Sequence, residues 1–371
     1  MRFPEFSGEW KETKLEKIAE ITKGSGISKD QLSEHGSPCI LYGELYTKYK
    51  SEIINEVYSR TELDSSLLVK SKANDVIIPC SGETAIDIST ARCVPFNNIL
   101  LGGDLNIIRL KNNDGGFFAY QLNGTRKKNI ARVAQGVSVV HLYGENLKHI
   151  RVYHPAIEEQ KKITRLLSLI DERIATQNKI IEDLKKLKSA IRKRVFTSLK
   201  NEYTESCEIN QLLAYEQPTA YIVANNEYSA DTTLTPVLTA NKGFVLGYTD
   251  EDSGIYQKGE CIIFDDFTMD AKYVSFPFKV KSSAIKILTA KQNVNLRFMF
   301  EYLSYLGLKS EEHKRHYISE IASLVIELPS KEKQNRIANL MTSLDNKLAL
   351  EEKAKARYED KKRYLLSQMF I

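Results

Sequence analysis

The chain has 371 residues, of which 42% are hydrophobic and 27% charged, and its formal net charge is +5. This is the composition of an ordinary globular protein, long enough for two or three domains. No apolar run approaches the roughly 18 residues of a membrane span, and the amino terminus lacks a signal-peptide pattern, so we expect a cytoplasmic protein without a membrane contact. The five cysteines are scattered without a Cys-x-x-Cys pair, which indicates neither a disulfide framework nor a zinc site.

The positive charge is concentrated in two segments. Residues 161–200 carry a net +8 and residues 331–371 a net +4, so the rest of the chain carries −7. A protein that grips DNA unaided usually concentrates basic residues on its reading surface. If this chain binds DNA, either local basic patches or a second subunit must therefore supply much of the phosphate contact.

The residues before Pro155 predict a mixed α/β globule, and a related globule follows later in the chain. KANDVIIPCSG (72–82) resembles QKGECIIFDDF, since each is a polar turn followed by a buried-strand pattern. Likewise, GGDLNIIRL (102–110) resembles SSAIKILTA, and FFAYQLNG (117–124) resembles FMFEYLSY. LKHIRVYHP (147–155) parallels ASLVIELPS, and each leads into a long helical segment.

The two helical segments provide the clearest evidence of an internal repeat. Each is rich in Leu, Ile, Lys, Glu, Arg and Ala and begins just after a proline, a residue that the start of a helix tolerates. Residues 155–175 align with residues 329–349 without a gap, at an offset of 174. The identical pairs include Pro155/Pro329, Glu158/Glu332, Gln160/Gln334, Ile163/Ile337, Leu166/Leu340, Asp171/Asp345 and Phe196/Phe370. The chain therefore uses one unit twice: a mixed α/β globule of about 150 residues and a helix of roughly 60 Å.

The apolar residues of each helix recur in alternating steps of four and three, which predicts a coiled-coil seam. The seam positions are Ile163, Leu167, Ile170, Ile174, Ile181, Leu184, Ile191 and Val195 in the first helix, and Ile337, Met341, Leu344, Leu348, Tyr358, Leu365 and Met369 in the second. Two seams in one chain most simply pair with each other. Polar residues share equivalent seam positions, Gln177/Glu351 and Lys188/Lys362. We favour tolerated charge at an exposed part of the seam; the alternative is that these residues fix the register.

Several segments resemble the specificity subunits of type I restriction–modification enzymes. They are RFPEF-x-GEW (2–10), WKETKLEKIAEI (10–21), YGELYTKY (42–49), and the approach to the first helix (135–160) with its shorter counterpart (316–334). The resemblance covers the whole chain. It implies an α+β fold with an internal pseudo-two-fold repeat, in which the two long helices form an antiparallel coiled coil. The domains would be two mixed α/β target-recognition domains (1–154 and 201–328) and two conserved helices (155–200 and 329–371).

The resemblance also implies a division of labour. Each recognition domain would read one half of a bipartite, asymmetric site in double-stranded DNA. The coiled coil would set the spacing and dock two methyltransferase subunits, which modify adenine N6 with S-adenosylmethionine. Motor-nuclease restriction subunits, which use ATP and Mg²⁺, would join the complex. The chain itself would hold no catalytic residue, cofactor or metal. A helix of roughly 60 Å is longer than one ~34 Å turn of DNA, so separated half-sites are geometrically natural.

Candidates for base reading are hydrogen-bonding residues on predicted exposed loops. In the first domain they are Tyr42, Glu44, Tyr46, Thr47, Lys48, Ser81, Glu83, Thr84, Gln135 and Ser138. In the second they are Asn241, Lys242, Asp266, Thr268, Lys272, Tyr273, His313, Lys314, Arg315 and His316. The alternative for each is a turn or strand-end residue without DNA contact, and Tyr42, Tyr46 and Tyr273 also suit packed aromatic positions.

Motifs that would make the chain an enzyme are weak. There is no Pro-Pro pair of the kind that holds a flipped adenine and no phosphate-binding G-x-x-x-x-G-K-[ST] loop, and the Gly24-Ser25-Gly26 turn suits an ordinary loop. Asp265-Asp266 and Asp270-Ala271-Lys272 echo a nuclease metal site, although such short matches arise often by chance. His313 and His316 lack a third metal ligand nearby. The alternatives are therefore a coiled-coil scaffold without sequence-specific DNA binding and a stand-alone nuclease.

Overall fold

A computed structural model describes residues 2–199, 204–241, 243–308 and 320–370. Its contacts divide the chain into two compact units. The first unit is Met1–Lys179 with Glu352–Ile371, and the second is Ile180–Glu351. Within the described residues, no helix is both long and apolar enough to cross a bilayer.

The first globule alternates short strands with short helices. Its elements are β1 (Lys11–Lys14), α1 (Leu15–Ile18), β2 (Ala19–Lys23), β3 (Leu32–Ser33), β4 (Ser37–Ile40), α2 (Glu44–Thr47), β5 (Ser59–Thr61), β6 (Asp75–Pro79), β7 (Ser81–Gly82), α3 (Ala85–Ile88), β8 (Arg92–Val94), β9 (Leu100–Leu101), β10 (Leu105–Leu110), α4 (Gly115–Asn123), α5 (Lys127–Arg132), β11 (Val140–His141), α6 (Gly144–Lys148) and β12 (Arg151–His154). The long helix α7 (Ile157–Leu199) follows.

The second globule has fewer elements between the long helices. They are β13 (Glu205–Glu208), α8 (Ile209–Leu212), β14 (Leu213–Glu216), β15 (Thr235–Leu238), β16 (Val245–Thr249), β17 (Cys261–Asp265), β18 (Ala271–Val274), β19 (Lys279–Val280), β20 (Ile285–Ala290), α9 (Leu296–Leu306) and β21 (Val325–Leu328). The second long helix, α10 (Lys331–Met369), completes the repeat.

Matching sheets in the two globules confirm the internal repeat. The first globule has a four-stranded antiparallel sheet in the order β2-β10-β6-β8, and the second has one in the order β14-β20-β17-β18. In each globule a strand at the start pairs antiparallel with the strand that leads into the long helix, β1 with β12 and β13 with β21. The segments that resemble each other in sequence supply equivalent elements, namely β6 and β17, β10 and β20, and α4 and α9. The predicted α+β class is correct.

The start of each long helix is fastened to its own globule by the same side chain. Asp114 caps α4 and Asn295 caps α9, each accepting a hydrogen bond from a backbone N–H of the first helical turn. Gln160 accepts a hydrogen bond from the backbone N–H of Asp114, and Gln334 accepts one from that of Asn295. Each glutamine also donates to the carbonyl of the proline that precedes its helix. The identical pair Gln160/Gln334 therefore performs one structural role twice.

Burial along the long helices follows the predicted seam. α7 has 43 residues and α10 has 39, and every seam position in both is buried or half-buried, while most positions between them are exposed. In the first unit, the amino-terminal part of α7 lies with the carboxy-terminal part of α10. In the second unit, the carboxy-terminal part of α7 lies with the amino-terminal part of α10. Each globule is thus completed by a helical segment from the other repeat.

The lysines of the seam do not lie at exposed positions. The side chains of Lys188 and Lys362 are only 13% and 15% exposed, and each forms an ion pair with an aspartate of the other long helix. The favoured interpretation of exposed, tolerated charge is wrong for these two residues. It failed because the heptad pattern locates a seam position without revealing the acidic groups that surround it.

Candidate nucleic-acid interface

A groove of about 870 Å³ opens on the surface of the first globule. Three stretches of chain form its walls: the loop after β2, the segment around α2 and the turn before β10. The lining residues are Gly26, Ile27, Ser28, Lys29, Gln31, Leu32, Leu41, Tyr42, Gly43, Glu44, Thr47, Lys48, Gly103 and Asp104. Four of the base-reading candidates therefore line one groove: Tyr42, Glu44, Thr47 and Lys48.

Glu44 holds Lys48, one of the two lysines that line this groove. Its side chain is only 8% exposed, and its carboxylate accepts hydrogen bonds from the backbone N–H of Leu41, from the Lys48 ammonium at 2.6 Å and from the Ser59 hydroxyl. Lys48 Nζ also donates to Ser59 Oγ at 3.0 Å. An ammonium has three N–H donors, so two are used inside the protein and one remains for a ligand. Because both internal partners fix the ammonium, that donor has a defined position.

Glycines allow the walls of the groove to form. A Cβ on Gly24 would lie 2.0 Å from the carbonyl oxygen of Gly102, so only glycine permits this close approach of two backbone segments. The next residue, Ser25, donates its backbone N–H to Leu101 O at 2.9 Å. A Cβ on Gly26, in contrast, would meet nothing within 4 Å. The turn that was predicted as an ordinary loop, without a nucleotide-binding role, forms part of a wall of the groove.

Further residues of the groove carry hydrogen-bonding groups and were not predicted from the sequence. These are Ser28, Lys29, Gln31 and Asp104. The available signal was the pairing of a Gly-x-Gly turn with a later Gly-Gly pair, which indicates closely packed backbone at two distant positions in the chain.

Other candidates of the first globule are divided by burial. Ser81 is 9% exposed and its hydroxyl donates to the Asp104 carboxylate at 3.2 Å. The expectation of an exposed loop position is therefore wrong for Ser81, as it is for Glu44. Tyr46 is half-buried. Glu83, Thr84, Gln135 and Ser138 are exposed, although the Thr84 hydroxyl caps α3 by accepting from Asp87 N–H.

The described candidates of the second globule differ in burial. Asp266 is 1% exposed and forms an ion pair with the buried Lys286 at 3.4 Å, so the expectation of exposure is wrong for it too. Tyr273 packs under the Arg297 guanidinium, 5.0 Å from its ring centre, and is half-buried. Lys272 is half-buried, while Asn241 and Thr268 are exposed. Lys242, His313, Lys314, Arg315 and His316 lie outside the described residues.

The nuclease-like fragment forms a structural turn. Asp265 accepts hydrogen bonds from the backbone N–H groups of Phe267 and Thr268, both at 2.9 Å. The Thr268 hydroxyl donates to Asp270 at 3.2 Å. In the part of the chain that the structure describes, no group of three or more His, Cys, Asp or Glu side chains is placed to hold a metal ion.

Ion clusters surround the two seam lysines. In the first unit, Lys362 lies 2.5 Å from the Glu52 carboxylate and 2.6 Å from that of Asp171, which also accepts from Tyr120 Oη at 2.7 Å. Burial, followed by the neighbouring Glu52 charge, raises the pKa of Asp171 to about 6. In the second unit, Lys188 lies 2.5 Å from Asp345.

The fold is a duplicated one, in which each of two α/β globules continues into a long helix. A family model described as "Type I restriction modification DNA specificity domain" matches residues 7–186 and 203–359. The chain belongs to this family. The role of this family is DNA sequence specificity and not catalysis. Membership of the family therefore does not favour the scaffold alternative or the nuclease alternative.

Individual proteins to which the chain is similar are also specificity subunits of type I restriction enzymes, by their names. The "Type I restriction enzyme EcoR124I/EcoR124II specificity subunit" of Escherichia coli is 44% identical over 127 residues, 33% of this chain and 31% of that protein. The alignment thus spans about a third of the relative's length. The "Putative type I restriction enzyme MjaX specificity subunit" of Methanocaldococcus jannaschii is 25% identical over 302 residues, 72% of this chain and 71% of that protein.

A solved structure shares the fold over the whole chain. It is the type I restriction–modification system S subunit from M. genitalium, which superposes with a TM-score of 0.71 at 16% identity, covering 100% of this chain and 99% of that one. The expected architecture of two α/β domains and two long helices is correct.

Proposed function

We propose that the chain reads a split DNA site, with each globule contacting one half, and that the complex it joins methylates adenine in that site. The observation that carries this proposal is the groove of the first globule, where Glu44 and Ser59 fix the Lys48 ammonium with one donor to spare. A donor of fixed position selects among bases, because each base pair presents a distinct set of acceptors in the major groove. Glu44 is then a positioning residue and Lys48 a specificity residue.

Divergence of the two globules supports two different half-sites. The long helices start in the same way in both repeats, through Gln160 and Gln334. The groove residues Glu44 and Lys48, by comparison, lie in α2, which follows β4. The strand β15 pairs in parallel with β19 as β4 does with β9, but in the described residues it is followed by the strand β16 and not by a helix. A repeated frame with unlike loops suits the reading of two different sequences.

The long helices would set the spacing of the half-sites and dock the partners. A helix of 43 residues spans roughly 65 Å at 1.5 Å per residue. We propose that two methyltransferase subunits bind the chain and supply S-adenosylmethionine chemistry, and that motor-nuclease subunits with ATP and Mg²⁺ join them in the cytoplasm. The −7 charge of the residues outside the basic helical segments favours partners that contribute phosphate contacts.

Sequencing of modified bases tests the proposal. The chain is expressed with its candidate methyltransferase subunit, and the cellular DNA is read for N6-methyladenine by single-molecule sequencing. We expect a split motif that depends on the chain. Methylation that is unchanged when the chain is deleted would refute the proposal and favour the scaffold function.

Substitution of Lys48 tests the groove itself. Lys48→Ala should relax the base preference at one position of one half-site, since a lost base contact removes about 1–3 kcal/mol of discrimination. Lys50→Ala is the control, because the Lys50 ammonium bonds to the Thr47 carbonyl and does not line the groove. A uniform loss of methylation across sequences, without a change of motif, would instead make Lys48 a phosphate contact.

A further inference from the structure

The segment after α4 is a basic patch in a part of the chain that is otherwise acidic. Residues 125–141 contain four Lys or Arg residues and no Asp or Glu, whereas the residues outside the two basic helical segments carry a net −7. Lys128 and Arg132 of α5 are exposed and four positions apart, so they lie on one face of the helix. Within the described residues, neither side chain has a hydrogen bond or an ion pair. Both cations are therefore available to a ligand.

A hairpin follows α5 and exposes apolar side chains at its tip. Gln135 and His141 close the hairpin with two backbone hydrogen bonds, of 2.9 and 2.7 Å. Gly136 has a φ of +117°, and a Cβ at this residue would lie 2.1 Å from the carbonyl oxygen of Val139, so the turn requires glycine. Val137 is 97% exposed and Val139 is 53% exposed. The fold thus builds a defined tip whose apolar side chains suit contact with another molecule.

Both α5 and the hairpin lie at the same end of the sheet as the groove. Asp104 lines the groove, directly precedes β10 and accepts a hydrogen bond from Ser81 of β7, and β7 pairs with β11 of the hairpin. The last turn of α4 reaches this end too, because Asn123 exchanges two hydrogen bonds with Ala91, just before β8. The start of β8 lies opposite the end of β6, which pairs with the start of β10. The basic face and the tip therefore extend the candidate interface beyond the groove.

The charge of this surface indicates its occupant. A lysine and an arginine on one helix face, both without an internal partner, complement the phosphate groups of a duplex. Apolar side chains beside such phosphate contacts fit the grooves of DNA, where they meet base edges. Two base-reading candidates that do not line the groove, Gln135 and Ser138, belong to the same hairpin.

We propose that α5 and the hairpin form a second DNA contact of the first globule, in which Lys128 and Arg132 each bind a phosphate and the Val137 tip lies against the duplex. The inference rests on the proposed function, which supplies DNA as the ligand. Phosphate contacts fix the register and orientation of a protein on DNA without reading the sequence. This surface therefore holds the duplex in place, whereas Lys48 selects the base.

The salt dependence of DNA binding tests the phosphate contacts. The full chain is assembled with its methyltransferase subunit, and its affinity for a duplex with the methylated motif is measured by fluorescence anisotropy between about 50 and 200 mM salt. Each phosphate contact contributes about 0.9 to the slope of log affinity against log salt concentration. Lys128→Ala combined with Arg132→Ala should therefore make the slope shallower by about 1.8.

The matched control removes the same charge from the opposite end of the sheet. Lys17 and Lys111 are exposed there, where the backbone N–H of Lys111 donates to the carbonyl oxygen of Ile18 at 2.8 Å. Lys17→Ala combined with Lys111→Ala should leave the slope unchanged. An equal slope change in both double variants would be an effect of net charge alone and would overturn the inference, as would no change in either.

Charged substitutions at the tip test the position of the hairpin. Val137→Asp and Val137→Lys should both fold as the wild type does, because the side chain is almost fully exposed, and circular dichroism checks this. We expect Val137→Asp to weaken DNA binding about ten-fold or more, since like charges are then brought together. Val137→Lys should bind DNA at least as tightly as the wild type. Equal affinities for the wild type and both variants would overturn the inference.

The remaining outcomes separate the inference from the proposed function. If the wild type directs methylation to a split motif and the variants at Lys128, Arg132 and Val137 bind DNA as it does, the inference is wrong and the function stands. If these variants lose methyltransferase subunits in native mass spectrometry, the surface docks a protein and the inference is wrong. A wild-type complex that neither binds DNA nor directs methylation refutes the proposed function and the inference together.

Discussion

Removal of the Lys362 ammonium should destabilise the first unit. In Lys362→Met the carboxylates of Glu52 and Asp171, both 7% exposed, lose the cation that lies within 2.6 Å of each. Loss of one partner from a buried ion pair costs about 3–5 kcal/mol, because a buried charge remains without compensation. We take about 3 kcal/mol, since Lys362 keeps 15% exposure and water can partly reach the site.

The single tryptophan makes the first unit separately observable. Trp10 lies 5.5 Å from the ring of Phe117 and 6.3 Å from that of Phe370, both part of the first unit's core. Its fluorescence during urea unfolding therefore reports on this unit. With a urea m-value of about 2 kcal/mol per molar, a loss of about 3 kcal/mol lowers the midpoint by roughly 1.5 M.

The neighbouring residue provides the control. Lys361→Met removes the same charge from an exposed position of α10 and should move the midpoint by no more than about 0.2 M. Adding Glu52→Gln and Asp171→Asn to Lys362→Met should recover much of the loss, because the uncompensated charges are then gone. Equal midpoints for Lys362→Met and Lys361→Met would refute the reasoning.

Three further predictions concern local features. Because burial raises the pKa of Asp171 to about 6, the folded first unit keeps a proton that the unfolded chain has released, and its stability falls as the pH rises towards and through 6. In Asp171→Asn the urea midpoint should therefore change less between pH 5 and 7 than it does in the wild type. An unchanged slope of midpoint against pH would contradict this. Gly24→Ala should lower the Trp10-detected midpoint, because its Cβ meets backbone at 2.0 Å, while Gly26→Ala should not; equal effects would disprove the close approach. Cys207 is half-buried and the other four cysteines are buried, so a thiol reagent should titrate one thiol in the native protein and five in urea, and a second fast thiol would contradict the burial.

The repeat and the long helices were predictable because their signals are local. A stripe of apolar residues every three or four positions requires only the geometry of one helix, and the offset of 174 residues follows from comparing the chain with itself. The boundaries were less accurate: the helices begin at Ile157 and Lys331, two residues after the prolines that mark their approach.

The groove was not predictable as a site because its walls come from distant parts of the chain. Parallel pairing of β4 with β9, which sets Cys39 opposite Leu100, brings the α2 segment beside the turn at Gly103. No local pattern specifies a parallel pairing between strands sixty residues apart. Residue type alone identified Glu44 and Lys48 as candidates, but only the tertiary fold assigns the first to burial and the second to the surface of the groove.

The ion clusters indicate which part of each module is free to diverge. In both units an aspartate from the amino-terminal part of one long helix meets a lysine from the carboxy-terminal part of the other, Asp171 with Lys362 and Asp345 with Lys188. The two long helices thus contribute the same two groups, an aspartate and a lysine, to each cluster.

The globules supply the third group differently. It is Glu52, from a loop before β5, in the first unit, and Glu301, from α9, in the second. At the position of the first globule that corresponds to Glu301 stands Tyr120, which donates its hydroxyl to Asp171 instead. A globule can therefore change its loops, provided that it still brings a carboxylate to the seam lysine. A globule exchanged into this chain without such a carboxylate should fold less stably, because the buried seam lysine then lacks one of its acidic partners.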